Sequence, residues 1–220
     1  MIRLIFTIFL SLVFSSKLAA KKIEGQLVLE NGASATITLE IPINKISKEI
    51  NFLKLQNSLN YYSKSGKLRT LKPSQVQEFN FHYKYDTYIM VSKRRTSAMG
   101  LGISENTHIF LQVEIENTLS LLKFIKTKKM GAPGIPIGNI GAISVAISPT
   151  ISNDIDVYVI ERPDGRILVA NKIDFRKKVA KFVYDCPVLS EQILSKSFEF
   201  EDIVPIVNYY NDACGTVNKD

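Results

Sequence analysis

Hydrophobic and polar residues alternate with a period of two along most of this chain, and the period lengthens only near its end. Phe79, Phe81, Tyr83 and Tyr85 alternate with Asn80, His82 and Lys84, the pattern of a strand with one buried aromatic face. The stretch 109–116 repeats it, with Ile109, Leu111, Val113 and Ile115 on one side and Gln112, Glu114 and Glu116 on the other.

Turn-forming residues separate such runs. Asn31-Gly32 predicts a hairpin joining 26–29 to 35–41, with Pro42 ending the second strand. Ser65-Gly66 joins 59–62 to 67–71, and Pro163-Asp164-Gly165 joins 156–160 to 166–170. Residues 52–55 read as a further short strand. Asp86-Thr87 is expected to turn the chain into 88–91, and Asn117-Thr118 to lead into a strand over 119–125. Pro73 and Ser74, with Gln77 three positions after the serine, predict one capped helical turn. Gly131, Gly134, Gly138 and Gly141, with Pro133 and Pro136, predict a flexible loop over 130–142.

After residue 173 the spacing becomes helical. Asp174 is a suitable N-cap, Phe175, Val179, Phe182 and Val183 share a face, and Arg176, Lys177, Lys178 and Lys181 occupy the other. This helix should end before Pro187. Leu189 and Ile193 suggest a second short helix, and Ile203, Ile206, Val207 and Tyr210 a third that starts near Asp202. Pro205 is compatible with that helix because it falls in the first turn, where the missing N–H does little harm. The expected fold is α+β: an antiparallel, β-hairpin-rich sheet or sandwich over 23–171, with two to three short helices within 174–213.

The N-terminus changes the picture. Arg3 precedes an uncharged apolar run over 4–14, followed by Ser15, Ser16, Lys17, Leu18, Ala19 and Ala20. A basic start, an apolar core of about 7–15 residues and a small-residue exit form a secretory signal. The run is shorter than the roughly 20 apolar residues of a spanning helix. The reading is a signal peptide over 1–20 and a single domain over 21–220 without a transmembrane span, placed in the periplasm or outside the cell. Loss of Arg3 and Lys17 with the signal lowers the formal charge from +7 to +5. The basic clusters Lys93-Arg94-Arg95 and Lys126 with Lys128-Lys129 are short. They suit weak contact with an anionic membrane surface better than nucleic-acid binding. In an oxidising compartment, Cys186 and Cys214 are the candidates for a disulfide, which would contribute roughly 3–4 kcal/mol in the chain-entropy model.

Reactive constellations are sparse. His82 and His108 lack metal-ligand spacing. Ser120 and Lys123 match S-x-x-K, but a strand sends positions three apart to opposite faces. The glycines over 131–141 lack the spacing and the flanking lysine of a phosphate-binding loop. Glu114/Glu116 and Asp154/Asp156 are spaced to share a strand face, about 6–7 Å apart by strand rise. Such pairs suit acid–base work on a sugar or a weak cation site, and equally a wet outer face. Tyr61, Tyr62, Tyr83, Tyr85, Tyr88, Tyr209 and Tyr210 offer either core packing or the lining of a ligand groove.

Taken together, several segments resemble uncharacterised exported bacterial envelope proteins. They are 25–41, Leu71-Lys72-Pro73 ahead of Phe79, Phe110-Leu111-Gln112-Val113-Glu114-Ile115, Phe175-Arg176-Lys177-Lys178, Asp185-Cys186-Pro187-Val188-Leu189, and Ile206-Val207-Asn208-Tyr209-Tyr210-Asn211 before Cys214. The resemblance implies export and the α+β fold, and transfers no site. The expected function is a non-enzymatic binding or envelope-associated interaction protein without cofactor or metal, whose partner is an envelope protein or glycan. The alternative is a small periplasmic hydrolase using carboxylates on a sheet face.

Overall fold

The computed structural model describes residues 19–101, 107–131, 135–140, 143–147 and 150–215. Apart from Ala19 and Ala20, the expected signal segment therefore lies outside the described residues.

Among the described residues twelve strands and four α-helices follow one another: β1 (Ala19–Leu29), β2 (Ser34–Ile43), α1 (Phe52–Leu55), β3 (Leu59–Tyr62), β4 (Leu68–Leu71), β5 (Val76–Tyr83), β6 (Asp86–Arg94), β7 (His108–Ile115), β8 (Ser120–Gly131), β9 (Ile135–Ile140), β10 (Ile143–Ile147), β11 (Thr150–Glu161), β12 (Ile167–Ala170), α2 (Phe175–Phe182), α3 (Pro187–Leu194) and α4 (Ile203–Ala213). Ten strands form one sheet in the order β12-β11-β8-β7-β6-β5-β1-β2-β3-β4, and β9 pairs with β10 separately. Every pairing is antiparallel. The α+β expectation thus takes the form of one large sheet with helices mostly after it. Among the described residues no helix is long and apolar enough to cross a membrane.

The sheet is curled. The single turn of α1 contacts both β2 and β8, although β1, β5, β6 and β7 lie between them in the sheet. In a flat sheet those strands would stand about 24 Å apart, at about 4.8 Å per strand. Inside the curl, Leu39, Ile41, Leu59, Phe79, Phe81 and Phe110 are buried around Leu55 of α1. Gln56 closes this side: its side chain donates to the Ile125 carbonyl and accepts from the Ile125 N–H, at 2.9 and 3.0 Å. It does the work of a strand neighbour where the β7–β8 pairing stops at Gln112 and Lys123, and its own carbonyl accepts from Phe110 of β7. Gly25 is required in β1, because a Cβ there would stand 2.4 Å from the Asn80 carbonyl oxygen.

Where β8, β11 and β12 continue that face, Leu121, Ile160 and Ala170 pack under Val179, Leu189, Ile206 and Tyr210 of the C-terminal helices. On the opposite face of these central strands, Ile109, Leu111, Leu122, Phe124 and Val159 form a third cluster with Met99. β7 is therefore apolar on both sides, which its simple alternation did not convey.

Several local expectations are corrected. Residues 52–55 form a helical turn instead of a strand, because the Asn51 side chain accepts from the Lys54 N–H and starts the turn. β2 runs through Pro42 to Ile43. The Pro42 carbonyl accepts from Asn51, on the side away from β1, so the imino nitrogen also faces away from the β1 ladder and costs it nothing. The turn after β5 is Lys84-Tyr85, with Lys84 at φ 58°, and it leaves Tyr85 wholly exposed. Pro73–Gln75 is a short 3-10 turn in which Gln75, in place of Gln77, accepts from the Lys72 N–H at 2.8 Å.

Asp174 precedes α2 but makes no side-chain cap, since its own backbone is left-handed at φ 57°. A register shift between Val113 and Ile115 makes a bulge at the end of β7. It turns Ile115 to the helix-covered core while Val113 stays on the opposite face. Of the expected loop over 130–142, Met130 and Gly131 belong to β8 and 135–140 to β9, paired with β11 and β10; 132–134 and 141–142 lie outside the described residues.

Candidate functional site

The half of the sheet that the C-terminal helices leave uncovered has a polar outer face, and the register assembles it. Glu24 on β1 pairs with Thr38 on β2, which pairs with Tyr62 on β3. Gln26 pairs with Thr36 on one side and with Asn80 of β5 on the other. Lys22 pairs with Glu40, which pairs with Asn60. Paired residues of antiparallel strands project to the same side, so these groups form a lattice of hydroxyls, amides and charges.

Two adjoining grooves lie over that lattice. The larger, about 740 Å³, is bounded by Lys22, Glu24, Thr36, Thr38, Tyr62 and Lys64. The smaller, about 420 Å³, shares Glu24 and Thr36 and continues to Asn80, His82 and Thr87. The larger groove exists because β3 pairs with β2 only over Thr38–Glu40. Beyond Thr38, β2 runs on to Ser34 while the β3–β4 turn contributes Ser63, Lys64 and Gly66 to the opposite wall.

Tyr62 anchors this site. Its hydroxyl donates to Glu40 Oε1 at 3.1 Å, and Asn60 Nδ2 donates to Glu40 Oε2 at 3.2 Å. Loss of hydration, and then the Glu40 carboxylate, hold the phenol above its ordinary value. Lys22 Nζ rests 4.1 Å from the ring centroid, a cation–π contact that parks the ammonium at the groove wall.

The residues singled out for chemistry are scattered or already engaged. Ser120 donates to the Asn117 carbonyl at 3.1 Å, and Lys123 pairs with Glu114 at 2.6 Å; both sit on β8, which keeps them from forming a nucleophile–amine pair. Burial opposes the Lys123 charge, but the Glu114 hydrogen bond and the nearby Asp156 outweigh it and hold the ammonium above its ordinary value. Glu116 lies past the bulge instead of sharing a face with Glu114, and its charge reaches Glu78, whose carboxyl is pushed up by burial and then by Glu116. Asp154 accepts from Thr127 at 2.8 Å. His82 and His108 each meet a threonine hydroxyl, Thr87 and Thr107, at 2.8 and 2.9 Å. Among the described residues no group of three or more His, Cys, Asp or Glu is placed to hold a metal ion. Of the tyrosines, Tyr61 and Tyr62 line the large groove, Tyr83 and Tyr210 belong to the cores, and Tyr85 stands free at its turn.

The sulfurs of Cys186 and Cys214 stand at bonding distance, 1.96 Å, with their Cα atoms 5.7 Å apart. Beside them is a cluster the sequence did not announce. Arg162 donates to both oxygens of Asp185, at 2.8 and 2.5 Å, and to the Phe182 carbonyl at 3.0 Å. The Tyr210 hydroxyl donates to Asp185 at 2.7 Å. The guanidinium also lies 5.7 to 6.0 Å from the rings of Tyr210, Tyr184 and Phe182. The Arg162 hydrogen bond holds Asp185 down to about 2 against the pull of burial. Burial and then Asp185 push Tyr210 up to about 12. These displaced groups spend their hydrogen bonds on one another and tie the β11–β12 turn to α2, α3 and α4.

Comparison with known proteins finds no matching family model, curated protein or solved structure.

Proposed function

We propose that this chain is an exported, non-catalytic binding protein of the bacterial envelope, and that the groove beside Tyr62 receives its partner. The observation that carries the reading is the contrast between the two halves of one sheet. On the outer face the β7–β8–β11 half carries the apolar cluster of Ile109, Leu111, Leu122 and Val159 with Met99, whereas the β3–β2–β1–β5 half presents hydrogen-bonding side chains to two adjoining grooves. A concave site with convergent polar groups is the default place for a ligand.

The acid–base groups support binding over hydrolysis. Glu114 faces a lysine, Asp185 an arginine, and Glu161 a lysine at 2.7 Å. A carboxylate hydrolase needs two acids flanking one substrate bond; Glu116 lies past the bulge from Glu114, and of the acids that share a face on β11 Asp154 is held by Thr127 while Asp156 lies near the Lys123 ammonium. The apolar N-terminal run and the Cys186–Cys214 pair support export.

A photo-crosslinking residue placed at Thr38, in the groove, tests the reading in growing cells against the same residue at exposed Val188 on α3. Thr38 should yield an envelope-derived adduct that Val188 does not. Identical adducts from both positions, or none from Thr38, would refute it.

A further inference from the structure

We infer that the groove takes an extended acidic peptide segment, added as a strand to the open edge of β2; this rests on the binding reading above and names the partner's chemistry. The backbone supplies the first argument. β3 leaves β2 unpaired on that side from Ser34 to Ile37. In a strand, the N–H and C=O of one residue point to the same side, and the side alternates along the chain. Pro42 directs its carbonyl away from β1, to Asn51. Thr36 and Ser34 share its parity and turn their peptide groups away from β1 into the groove. An open ladder of this kind is what strand addition uses, with backbone hydrogen bonds for affinity and alternate side chains for specificity.

Charge supplies the second argument. Lys22 and Lys64 line the groove against one carboxylate, Glu24. Lys67, Arg69 and Lys72 follow Lys64, and no Asp or Glu occurs from Asn51 to Gln77. The Lys22 ammonium rests on the Tyr62 ring, while its cross-strand neighbour Glu40 accepts from Tyr62 and Asn60; among the described residues no ion pair holds Lys22, and an incoming acid can draw it off the ring.

The two sides of β2 then specify the pattern. Thr36, Thr38 and Tyr62 lie on the polar side with the lysines, whereas Ile37 and Tyr61 pack at the margin of the inner core. A strand laid beside Ser34–Ile37 would place alternate residues against cations and against apolar surface. The partner segment therefore alternates acidic and branched apolar residues over about four positions, roughly 13 Å at the usual strand rise.

A fluorescein-labelled peptide alternating Glu and Val, titrated by anisotropy into the folded protein at low salt, tests this. It should bind at least tenfold tighter than a Lys–Val alternation and than a peptide of the same composition with its glutamates contiguous. N-methylation of one alternate set of its amides should abolish binding, while methylation of the other set leaves it intact. K64E should lose tenfold or more, and V188S nothing. Equal binding of both N-methylated peptides, or of the Glu–Val and Lys–Val peptides, would overturn strand addition. If Thr38 crosslinks only to polysaccharide and the peptides do not bind, this inference falls while the groove remains a docking site; if Thr38 crosslinks to nothing, both readings fall.

Discussion

Arg162 grips both carboxylate oxygens of Asp185, and Asp185 stands immediately before disulfide-bonded Cys186. Tyr210, the third member, precedes Cys214 by one helical turn, and the Cys214 N–H donates to its carbonyl. The covalent link and the ionic cluster therefore secure the same junction of α3 and α4 to the sheet. Arg162→Met should destabilise the fold by about 3 kcal/mol, because Asp185 and the Phe182 carbonyl lose their donor while the buried space is nearly refilled. Urea denaturation of the oxidised protein measures it. A change under 0.5 kcal/mol would mean the pair contributes little.

The same cluster sets limits on stability at both ends of the pH scale. Asp185 is held at about 2 against an ordinary 3.8. A depressed acid contributes stability above its unfolded value, and the contribution disappears as pH falls from about 4 towards 2. Tyr210 is raised to about 12 from 10.0, so its contribution is full below pH 10 and disappears as pH climbs towards 12. The melting temperature should be flat between these windows and fall outside them. In Asp185→Asn the acid-side fall should shrink by about 1 kcal/mol, a modest figure because the carboxylate keeps some contact with water. An unchanged acid limb in that variant would remove Asp185 from the explanation.

Much of the fold was legible because its strands obey period two and its hairpins carry glycine at the turns: Gly32, Gly66 and Gly165 all have positive φ. The C-terminal helices were legible from the spacing of Val179, Leu189, Ile206 and Tyr210, all of which are buried. What escaped depends on partners distant in sequence. The 52–55 turn is made by Asn51 and seated by Leu55, which no β-pattern distinguishes from a strand. The bulge at Glu114 moves Ile115 between cores without leaving a mark in the alternation. Arg162 carries no signal that its acid stands at Asp185. The groove was half visible: Tyr61 and Tyr62 were named, but nothing in the sequence singled out Lys22, Thr36 or Thr38, which only the register joins to Tyr62.

Thiol labelling of denatured, unreduced protein should find neither Cys186 nor Cys214 reactive, since the fold brings their Cα atoms to 5.7 Å, within the range of a bridge. Replacing both with serine should cost about 3 kcal/mol in the chain-entropy account. Two reactive thiols before reduction would sink the pairing.

The N-terminal reading has an equally direct check. Intact mass of the protein recovered from the envelope should lack Met1 to about Ala20. The cut then falls just inside β1, and from Lys21 onwards the strand keeps its partners Ile41 to Ser34 on β2. A mass that still includes the apolar run would overturn cleavage.

Gln56 should prove as important to the curl of the sheet as any apolar residue beside it. It is only 4% exposed, and its amide satisfies both peptide groups of Ile125 where β7 no longer can. Gln56→Leu fills nearly the same volume but leaves a buried N–H and carbonyl unpaired, at about 1–3 kcal/mol for each orphaned group. Part of that cost is avoidable if water reaches the edge, so a net loss of about 2–3 kcal/mol is expected. The local signature separates this role from simple packing: hydrogen exchange at the Ile125 amide should accelerate far more than at Leu121, which remains under the helices. Leu55→Ala, one residue earlier in the same turn, should also destabilise, by about 2–5 kcal/mol, but without singling out Ile125. If the two variants gave the same exchange profile, Gln56 would be filling space and the sheet edge would be closed by something else.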